Sequence, residues 1–288
     1  MNSNNISDNV EIDEYLAELA VPDPNERRSS LCSILTRNGL DYTIQKIDPT
    51  EKNPQGVINY LVEIGPILNE DPHLLFCAHY DAFPASCGAN DNSAAVCILI
   101  ELAKALKKQG KVPATFAFFD GEESKHLGSK LYASELDRTR ISGVINLDIC
   151  GYGDTITVYS HGSTGQSPIR GFCDKTLLSR HNGRLVKYLP ESDDIAFNGI
   201  HLPTLSVAIM PKWDAHNLKI LSIYNDNVIG KPPEFEIILG QMEVITTMHG
   251  SFRDKISTVQ SSAMHQVYDY LLDSFASPLP VKKWFHFF

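Results

Sequence analysis

The sequence of 288 residues contains no Cys-x-x-Cys pair, no block of basic residues and no apolar run long enough to cross a bilayer. The missing cysteine pairs exclude a zinc ribbon and a thioredoxin-type redox centre. Since 25 Lys and Arg stand against 35 Asp and Glu, the net charge is −10. An acidic chain repels phosphate backbones, so we expect no nucleic acid partner. The short apolar runs lead us to expect no membrane partner either.

The first residues of the sequence also lack the basic stretch and the apolar stretch of a signal peptide. We therefore expect a cytoplasmic protein, or a secreted one whose leader is absent from this sequence, with a frayed segment at residues 1–10. Three of the six cysteines, Cys77, Cys97 and Cys150, lie in apolar segments, where a thiol behaves as a small hydrophobic group. We expect free thiols there rather than disulfides.

Apolar patterning alternates between strand-like and helix-like segments along most of the chain. Continuous apolar runs at 74–78, 115–119 and 143–147 are typical of strands that are covered on both faces. This alternation predicts an α/β fold with a mixed, mainly parallel central sheet flanked by helices, in one domain spanning 1–288. A long polar loop is predicted at 211–233, where it would border a site. The other predicted strands are 42–47, 57–64, 155–159, 184–187 and 205–209, and the predicted helices are 11–20, 29–38, 93–108, 125–136, 167–180, 235–248 and 260–275.

Polar side chains follow the buried strands at their carboxyl ends, the edge where open parallel sheets bind ligands. Carboxylates packed together without a cation repel one another and lose solvation. A divalent metal removes that cost, and nitrogen and oxygen ligands without thiolate favour zinc, with manganese or cobalt as alternatives. The residues concerned are His79 and Asp81 after the first of these strands, Asp91 in the loop before the next helix, Glu122 and Glu123 after the second strand, and Asp148 after the third.

Each of these residues also has an ordinary structural interpretation when it is taken alone. Asp91 has the position of a helix cap, and adjacent glutamates such as Glu122 and Glu123 often form a solvated turn at the start of a helix. Asp148 has the position of a strand-end carboxylate that backbone amides hold. Without a metal site, these ordinary roles would have to coincide four times at one edge of the sheet. The sequence therefore favours a metal site.

Four segments, in this order, resemble the zinc aminopeptidases of metallopeptidase family twenty-eight. The resemblance extends from about residue 73 to the end of the chain, and the same clan includes glutamate carboxypeptidase and the glutaminyl cyclases. It implies the three-layer α/β sandwich of zinc exopeptidases, two zinc ions per chain, and a peptide or amide substrate. The four segments are His79-Tyr80-Asp81, Gly-Ala-Asn-Asp-Asn-Ser-Ala-Ala at 88–95, Phe-Phe-Asp-Gly-Glu-Glu at 118–123, and Asn146-Leu147-Asp148.

The resemblance implies a set of metal ligands. Asp91 resembles the carboxylate that bridges the two metals. His79 and Asp148 resemble the other ligands of one ion, and Glu123 resembles a ligand of the second ion. A late histidine completes the second ion, and we assign this role to His249, which follows a predicted helix as in the family. The histidines that compete with it for the role are His201 and His216.

Two further residues take part in the chemistry that the resemblance implies. Glu122 resembles the general base, and Asp81 resembles the carboxylate that orients His79 through its second ring nitrogen. The sequence departs from the family pattern at two positions. Gly250 stands where the family has a threonine after the late histidine, and Asp194 stands where the family has a histidine shortly before a phenylalanine.

The resemblance favours an aminopeptidase that removes N-terminal residues from peptides. In the mechanism it implies, a water shared by two zinc ions attacks the peptide carbonyl, and Glu122 carries its proton to the leaving amine. A glutaminyl-cyclase-like acyltransferase with one zinc is an alternative on the same fold. Two others are a carboxypeptidase or deacylase, with Arg253 or Lys212 binding the substrate carboxylate, and a catalytically silent metal-binding protein. The sequence leaves side-chain preference and homo-oligomerisation open.

Overall fold

A computed structural model describes residues 11–50, 56–65, 72–162, 164–165, 167–225 and 232–276. Residues 1–10, which we expected to be frayed, lie outside the described residues. The strands among the described residues are β1 (Tyr42–Ile47), β2 (Val57–Ile64), β3 (His73–His79), β4 (Ala114–Phe119), β5 (Ile141–Leu147), β6 (Thr155–His161), β7 (Gly183–Val186) and β8 (Thr204–Met210). They form one sheet in the order β1-β2-β4-β3-β5-β8-β6-β7.

The sheet is mixed and mainly parallel, as predicted. Four neighbouring pairs are parallel, namely β3–β4, β3–β5, β5–β8 and β6–β7. Three pairs are antiparallel, namely β1–β2, β2–β4 and β6–β8. Each of the eight predicted strands is present, within two residues at either end. Because β3, β4 and β5 run in one direction, the residues that follow them meet at a single edge of the sheet.

Helices cover both faces of this sheet. Alternate side chains of β3 and β4 point to opposite faces, so Phe76 and Phe116 pack against α3 and α9, while Leu75 and Phe119 pack against α4 and α6. No helix among the described residues has the length and the hydropathy needed to cross a bilayer. The helices are α1 (Ile12–Leu19), α2 (Pro24–Arg37), α3 (Ala94–Gln109), α4 (Leu127–Glu135), α5 (Lys175–Arg180), α6 (Asp194–Asn198), α7 (Lys212–Asn225), α8 (Pro233–Gln241) and α9 (Ser261–Ala276).

Several predicted helices have different bounds in the structure. The helix predicted at 29–38 begins earlier, at Pro24, because the Asp23 carboxylate accepts hydrogen bonds from the next two free amides of the first turn. The segment 167–180 is a 3-10 helix, Pro168–Cys173, followed by α5. The segment 235–248 is helical only as far as Gln241, and a 3-10 turn, Val244–Thr247, follows it.

The prediction of a loop throughout 211–233 is wrong, because α7 occupies Lys212–Asn225. Its buried face includes Ala215, Leu218 and Leu221, which have the spacing of a helix and pack in a separate apolar cluster. The signal is weak in the sequence because Trp213 is 71% exposed, so an apolar residue stands on the solvent face and disturbs the periodicity.

Candidate metal centre

His79, the last residue of β3, lies at the centre of the predicted site. Its side chain is buried, and Nε2 lies 3.4 Å from Asp91 Oδ1 and 3.6 Å from Asp148 Oδ1. The other ring nitrogen, Nδ1, lies 3.2 Å from the carbonyl oxygen of Asp81 and 3.4 Å from Asp81 Oδ1. Burial acts to lower the pKa of His79, but the carboxylates around the ring, led by Glu122, raise it well above its ordinary value.

Asp81 joins the loop after β3 to the loop after β4. Its two carboxylate oxygens accept the backbone amides of Glu122 at 3.1 Å and of Glu123 at 3.2 Å. One carboxylate therefore fixes the backbone of both glutamates and also lies beside the ring of His79. This arrangement is the one expected of a residue that orients a metal ligand rather than binding the metal itself.

Asp91 lies in the loop that leads into α3 and is 3% exposed. Its Oδ2 accepts the backbone amide of His249 at 2.7 Å. The loop itself is held by Asp254, whose Oδ1 accepts the amides of Asn90 at 2.9 Å and of Asp91 at 3.3 Å. Burial raises the pKa of Asp91, but the nearby ring of His79 and then the backbone amide of His249 outweigh burial and lower the pKa overall. Asp254 thus supports the carboxylate of this site rather than the side chain of His249.

The two adjacent glutamates occupy different surroundings. Ligand atoms of His79, Glu122 and Asp148 all lie within 4.8 Å of one another, so Glu122 is the glutamate grouped with this pair. Glu123 is also directed inward, since its buried Oε1 has no hydrogen-bond partner among the described residues. Burial and the charge of Asp91 raise the pKa of Glu123 to about 8. The predicted division of roles, with Glu122 as base and Glu123 as ligand, stays a prediction.

The residues of this cluster fit a divalent cation. Buried atoms without a hydrogen-bond partner among the described residues include His79 Nε2, Glu123 Oε1 and Asp148 Oδ1. Ligand atoms at ~2.0–2.2 Å from a tetrahedral zinc stand roughly 3.3–3.6 Å apart. The 3.4 Å and 3.6 Å distances from His79 Nε2 to its two carboxylates match that spacing. A donor set of imidazole nitrogen and carboxylate oxygen is also one that zinc accepts.

His126 is a residue of the site that sequence reasoning missed. Its Nδ1 lies 3.2 Å from Glu122 Oε1, and the interaction with this carboxylate raises the pKa of His126. Positive φ angles of 73° at Lys125 and 59° at His126 turn the chain back toward Glu122 and delay the start of α4 until Leu127. The only sequence signal was the separation of four residues between His126 and Glu122.

The segment before α6 places more polar groups under the site. Asp193 is fully buried, and burial, with the nearby charge of Glu122, raises its pKa to about 7. Asp194, at the position where the family has a histidine, binds His161 Nε2 and accepts the hydroxyl of Ser206. His161, from β6, therefore lies beside Asp194, the position at which this sequence lacks the histidine of the family pattern.

An open cleft adjoins the cluster and is lined by Asp91, Glu122, Asp148 and His249. Within the described part of the chain, neither His201 nor His216 is among the residues that line it, and His216 instead stacks on Trp213 at 5.5 Å between ring centroids. The position of His249 therefore favours it over both competitors. The other lining residues are Asn146, Ile149, Leu189, Pro190, Glu191, Ser192, Ser206, Val207, Ala208 and Met248.

Residues 59–273 match the family model described as peptidase family M28. The chain belongs to this family. The resemblance inferred from the four sequence segments is therefore confirmed, and by family the chain is a metallopeptidase. The match begins in β2 and ends in α9, so it includes all the residues predicted for the metal site.

Relatives of this M28 chain include peptidases and cyclases. Over 83 residues it is 39% identical to aminopeptidase YwaD of Bacillus subtilis, which covers 26% of the chain and 17% of that relative. The chain matches less than a fifth of the length of its curated relatives. Glutaminyl cyclase of Porphyromonas gingivalis superposes with a TM-score of 0.66 at 16% identity, covering 92% of the chain and 95% of the cyclase. BSAP, a zinc aminopeptidase from Bacillus subtilis, gives a TM-score of 0.57 at 19% identity, with 76% and 49% covered. These two likenesses confirm the predicted exopeptidase fold.

Proposed function

We propose that this chain is a zinc-dependent aminopeptidase that removes N-terminal residues from peptides. The observation that carries the proposal is the set of buried ligand atoms around His79, which have no partner among the described residues and border an open cleft. Membership of the M28 family and the match to aminopeptidase YwaD support the same assignment.

The residues that would hold the metal come from five separate segments. Asp91 would bridge two zinc ions, with His79 and Asp148 on one of them and Glu123 and His249 on the other. Zinc in such a site supplies positive charge that polarises a carbonyl group and lowers the pKa of water. The same donors also accept manganese or cobalt, so elemental analysis has to identify the native ion.

Glu122 is the residue placed to move the proton. Its carboxylate lines the cleft and is grouped with His79 and Asp148. In this proposal Glu122 takes a proton from the attacking water and later gives it to the leaving amine. His126, at 3.2 Å from Oε1, limits the rotation of the Glu122 side chain, and Asp81 holds its backbone.

The charge of the cleft favours a substrate with a free amino terminus. Glu122 and Glu191, the two acidic lining residues that are not assigned to a metal, leave negative charge on its surface, and no Lys or Arg is among its lining residues within the described chain. An ammonium group is attracted to such a surface, whereas a free carboxylate is repelled. The arrangement therefore supports an aminopeptidase over a carboxypeptidase. Arg253, one candidate for binding a carboxylate, is already bound to Glu243 and to the hydroxyl of Tyr152.

A glutaminyl-cyclase-like acyltransferase is the second candidate. Two observations favour keeping it. The superposition with the Porphyromonas gingivalis cyclase covers almost the whole of both chains. In addition, His79, Glu122 and Asp148, whose ligand atoms lie within 4.8 Å of one another, form a set of three ligands for a single ion. This candidate requires one zinc and a substrate with N-terminal glutamine.

Elemental analysis combined with activity assays tests the proposal. We expect two zinc ions per chain and hydrolysis of aminoacyl-arylamides that stops with a chelator and returns with zinc. One zinc per chain, with ring closure of glutaminyl peptides and no arylamide hydrolysis, would assign the cyclase reaction. Bound metal without either reaction would assign a catalytically silent protein.

A further inference from the structure

The floor of the cleft is formed by a row of polar side chains on the sheet. Cys77, Asn146 and Ser206 are register partners on β3, β5 and β8 and face the same side of the sheet. The first two stand two residues before His79 and Asp148, so the row lies directly beneath the metal centre. Asn146 is 1% exposed and Ser206 is 5% exposed, yet both line the cleft.

The amide of Asn146 presents a donor without a partner. The thiol of Cys77 donates to Asn146 Oδ1 at 3.4 Å, which directs the amide nitrogen away from Cys77. Among the described residues, no hydrogen-bond acceptor lies within reach of this buried Nδ2. A buried polar atom without a partner is unfavourable, so the site is one where an acceptor from a ligand is strongly favoured.

Two serines add to this donor. The hydroxyl of Ser192 is buried, lines the same cleft and has no partner among the described residues. The hydroxyl of Ser206 donates to Asp194, and its oxygen lies 3.3 Å from His161 Nε2, which leaves one lone pair of that oxygen to accept from a ligand. The floor therefore offers a donor at Asn146, a donor or acceptor at Ser192 and an acceptor at Ser206. None of the three groups is charged.

We propose that this floor selects an uncharged polar side chain, an amide or a hydroxyl, on the N-terminal residue of the substrate; this inference rests on the proposed aminopeptidase function. A leucine or valine side chain leaves Asn146 and Ser192 without partners. An acidic side chain meets the carboxylates of Glu122 and Glu191. A lysine or arginine side chain presents only donors and cannot pair with the amide nitrogen of Asn146.

Pairs of substrates with equal shape separate hydrogen bonding from size. We expect arylamides of asparagine to exceed those of leucine, and threonine to exceed valine, by at least about 10-fold in kcat/KM. Asn146→Leu should abolish or reverse the first preference, read as the ratio of kcat/KM for the asparagine and leucine substrates. Ser192→Ala should weaken both preferences. Ser274→Ala, a buried serine of α9 that is remote from the cleft, is the matched control and should change neither.

Equilibrium binding measures the same side-chain preference without turnover of a substrate. The Glu122→Gln protein, loaded with zinc, should bind asparagine amide and threonine amide more tightly than leucine amide and valine amide in calorimetry. Equal or reversed affinities, a preference for lysine or arginine, or an unchanged preference in Asn146→Leu would overturn the inference while leaving the peptidase intact. Selective binding of the polar amides without hydrolysis of any arylamide would overturn the proposed function and leave the inference standing.

Discussion

This molecule has two clusters of carboxylates whose negative charge is neutralised in different ways. In the amino-terminal cluster of Glu11, Tyr15, Glu101 and Lys104, the Lys104 ammonium lies 3.0 Å from Glu11 and 3.1 Å from Glu101. At the metal centre, no ion pair among the described residues joins a Lys or Arg to the carboxylates around His79. The first cluster carries its own cation and is structural, whereas in the proposed function the second takes its cation from outside.

The same contrast occurs within one loop after β4. Asp120 pairs with Arg28 at 3.0 Å and accepts the backbone amide of Ile58 at 3.0 Å. Three residues later, Glu123 is directed inward with a buried oxygen that has no partner among the described residues. An acidic residue at a strand end is therefore not a metal ligand by position alone. The presence or absence of a basic partner separates the two cases.

Removal of zinc should have the largest effect, since it withdraws the divalent charge that the proposed function places in the second cluster. We expect a chelator to reduce arylamide hydrolysis to background and to lower the melting temperature, and zinc to restore both. A bound ion at a hundredfold excess over its Kd stabilises the native state by about 2.7 kcal/mol. The melting temperature of Asp91→Ala should not respond to the chelator. If neither the activity nor the melting temperature of the wild-type protein changes with a chelator, the proposed metal dependence is wrong.

Replacement of one glutamate in each cluster compares the two clusters directly. Glu122→Gln should lower kcat by at least ~100-fold with zinc content unchanged, because the amide cannot accept the proton. Glu101→Gln makes the same chemical change in the amino-terminal cluster and should leave kcat unchanged. Kinetics and elemental analysis of both proteins measure kcat and zinc content. Near-normal turnover of Glu122→Gln would remove it as the base, and loss of zinc would make it a ligand.

The edge of the sheet that carries the site could be predicted from the sequence because buried parallel strands are continuous apolar runs. The runs at β3, β4 and β5 end in His79, Asp120 and Asp148 or next to them, so the convergence of polar groups follows from topology alone. The sequence favours a later start of α2, because two serines at 29–30 are good helix caps, whereas the structure uses Asp23 as the cap with Pro24 after it.

The positions that could not be predicted depend on contacts between distant segments. His161 belongs to no motif, and its proximity to the site follows from its contact with Asp194 at the start of α6. Asp193 lies in the segment that resembles the family pattern, but its full burial depends on the fold. The role of His126 depends on two residues with positive φ, a conformation that the identities Lys125 and His126 do not favour. The unpaired amide of Asn146 likewise becomes visible only when the groups around it are known.

The metal-free protein should lose stability as the pH rises, because of Asp193. Burial, with the charge of Glu122, raises the pKa of Asp193 from 3.8 to about 7. Between these values the folded protein keeps a proton that the unfolded chain has released, so the free energy of unfolding falls by about 1.4 kcal/mol for each pH unit. Urea unfolding of the metal-free protein from pH 4 to 8 measures the slope, and Asp193→Asn should flatten it.

In the amino-terminal cluster, the stability that Glu11 contributes should depend on pH with the opposite sign. Hydrogen bonds from Tyr15 and Lys104 lower the pKa of Glu11 below 4.5. Its contribution to stability is therefore present above that value and is lost as the pH falls through the lowered pKa. In the Asp193→Asn protein, the loss of stability with rising pH should shrink to the part that comes from Glu123, whose pKa is also raised, and the loss on the acid side should remain. A slope between pH 4 and 7 as steep in this variant as in the parent protein would assign the titration to another group.

The smallest effect is expected where the chain supplies its own cation. Lys104→Met leaves the carboxylate of Glu101, which is 4% exposed, without its partner. Because the Lys104 side chain is 30% exposed, we expect a loss of about 1–2 kcal/mol in the free energy of unfolding, between the values for exposed and buried pairs. Zinc content and kcat should not change.

A matched control and a double variant complete this comparison. Lys46→Met breaks an exposed pair with Asp48, in which both side chains are more than half exposed, and should cost much less than Lys104→Met in urea unfolding. Replacing Lys104 and Glu101 together by Met and Leu should recover most of the lost stability, because neither charge is then left without a partner. A double variant as unstable as Lys104→Met would mean that the pair acts through packing and not through charge.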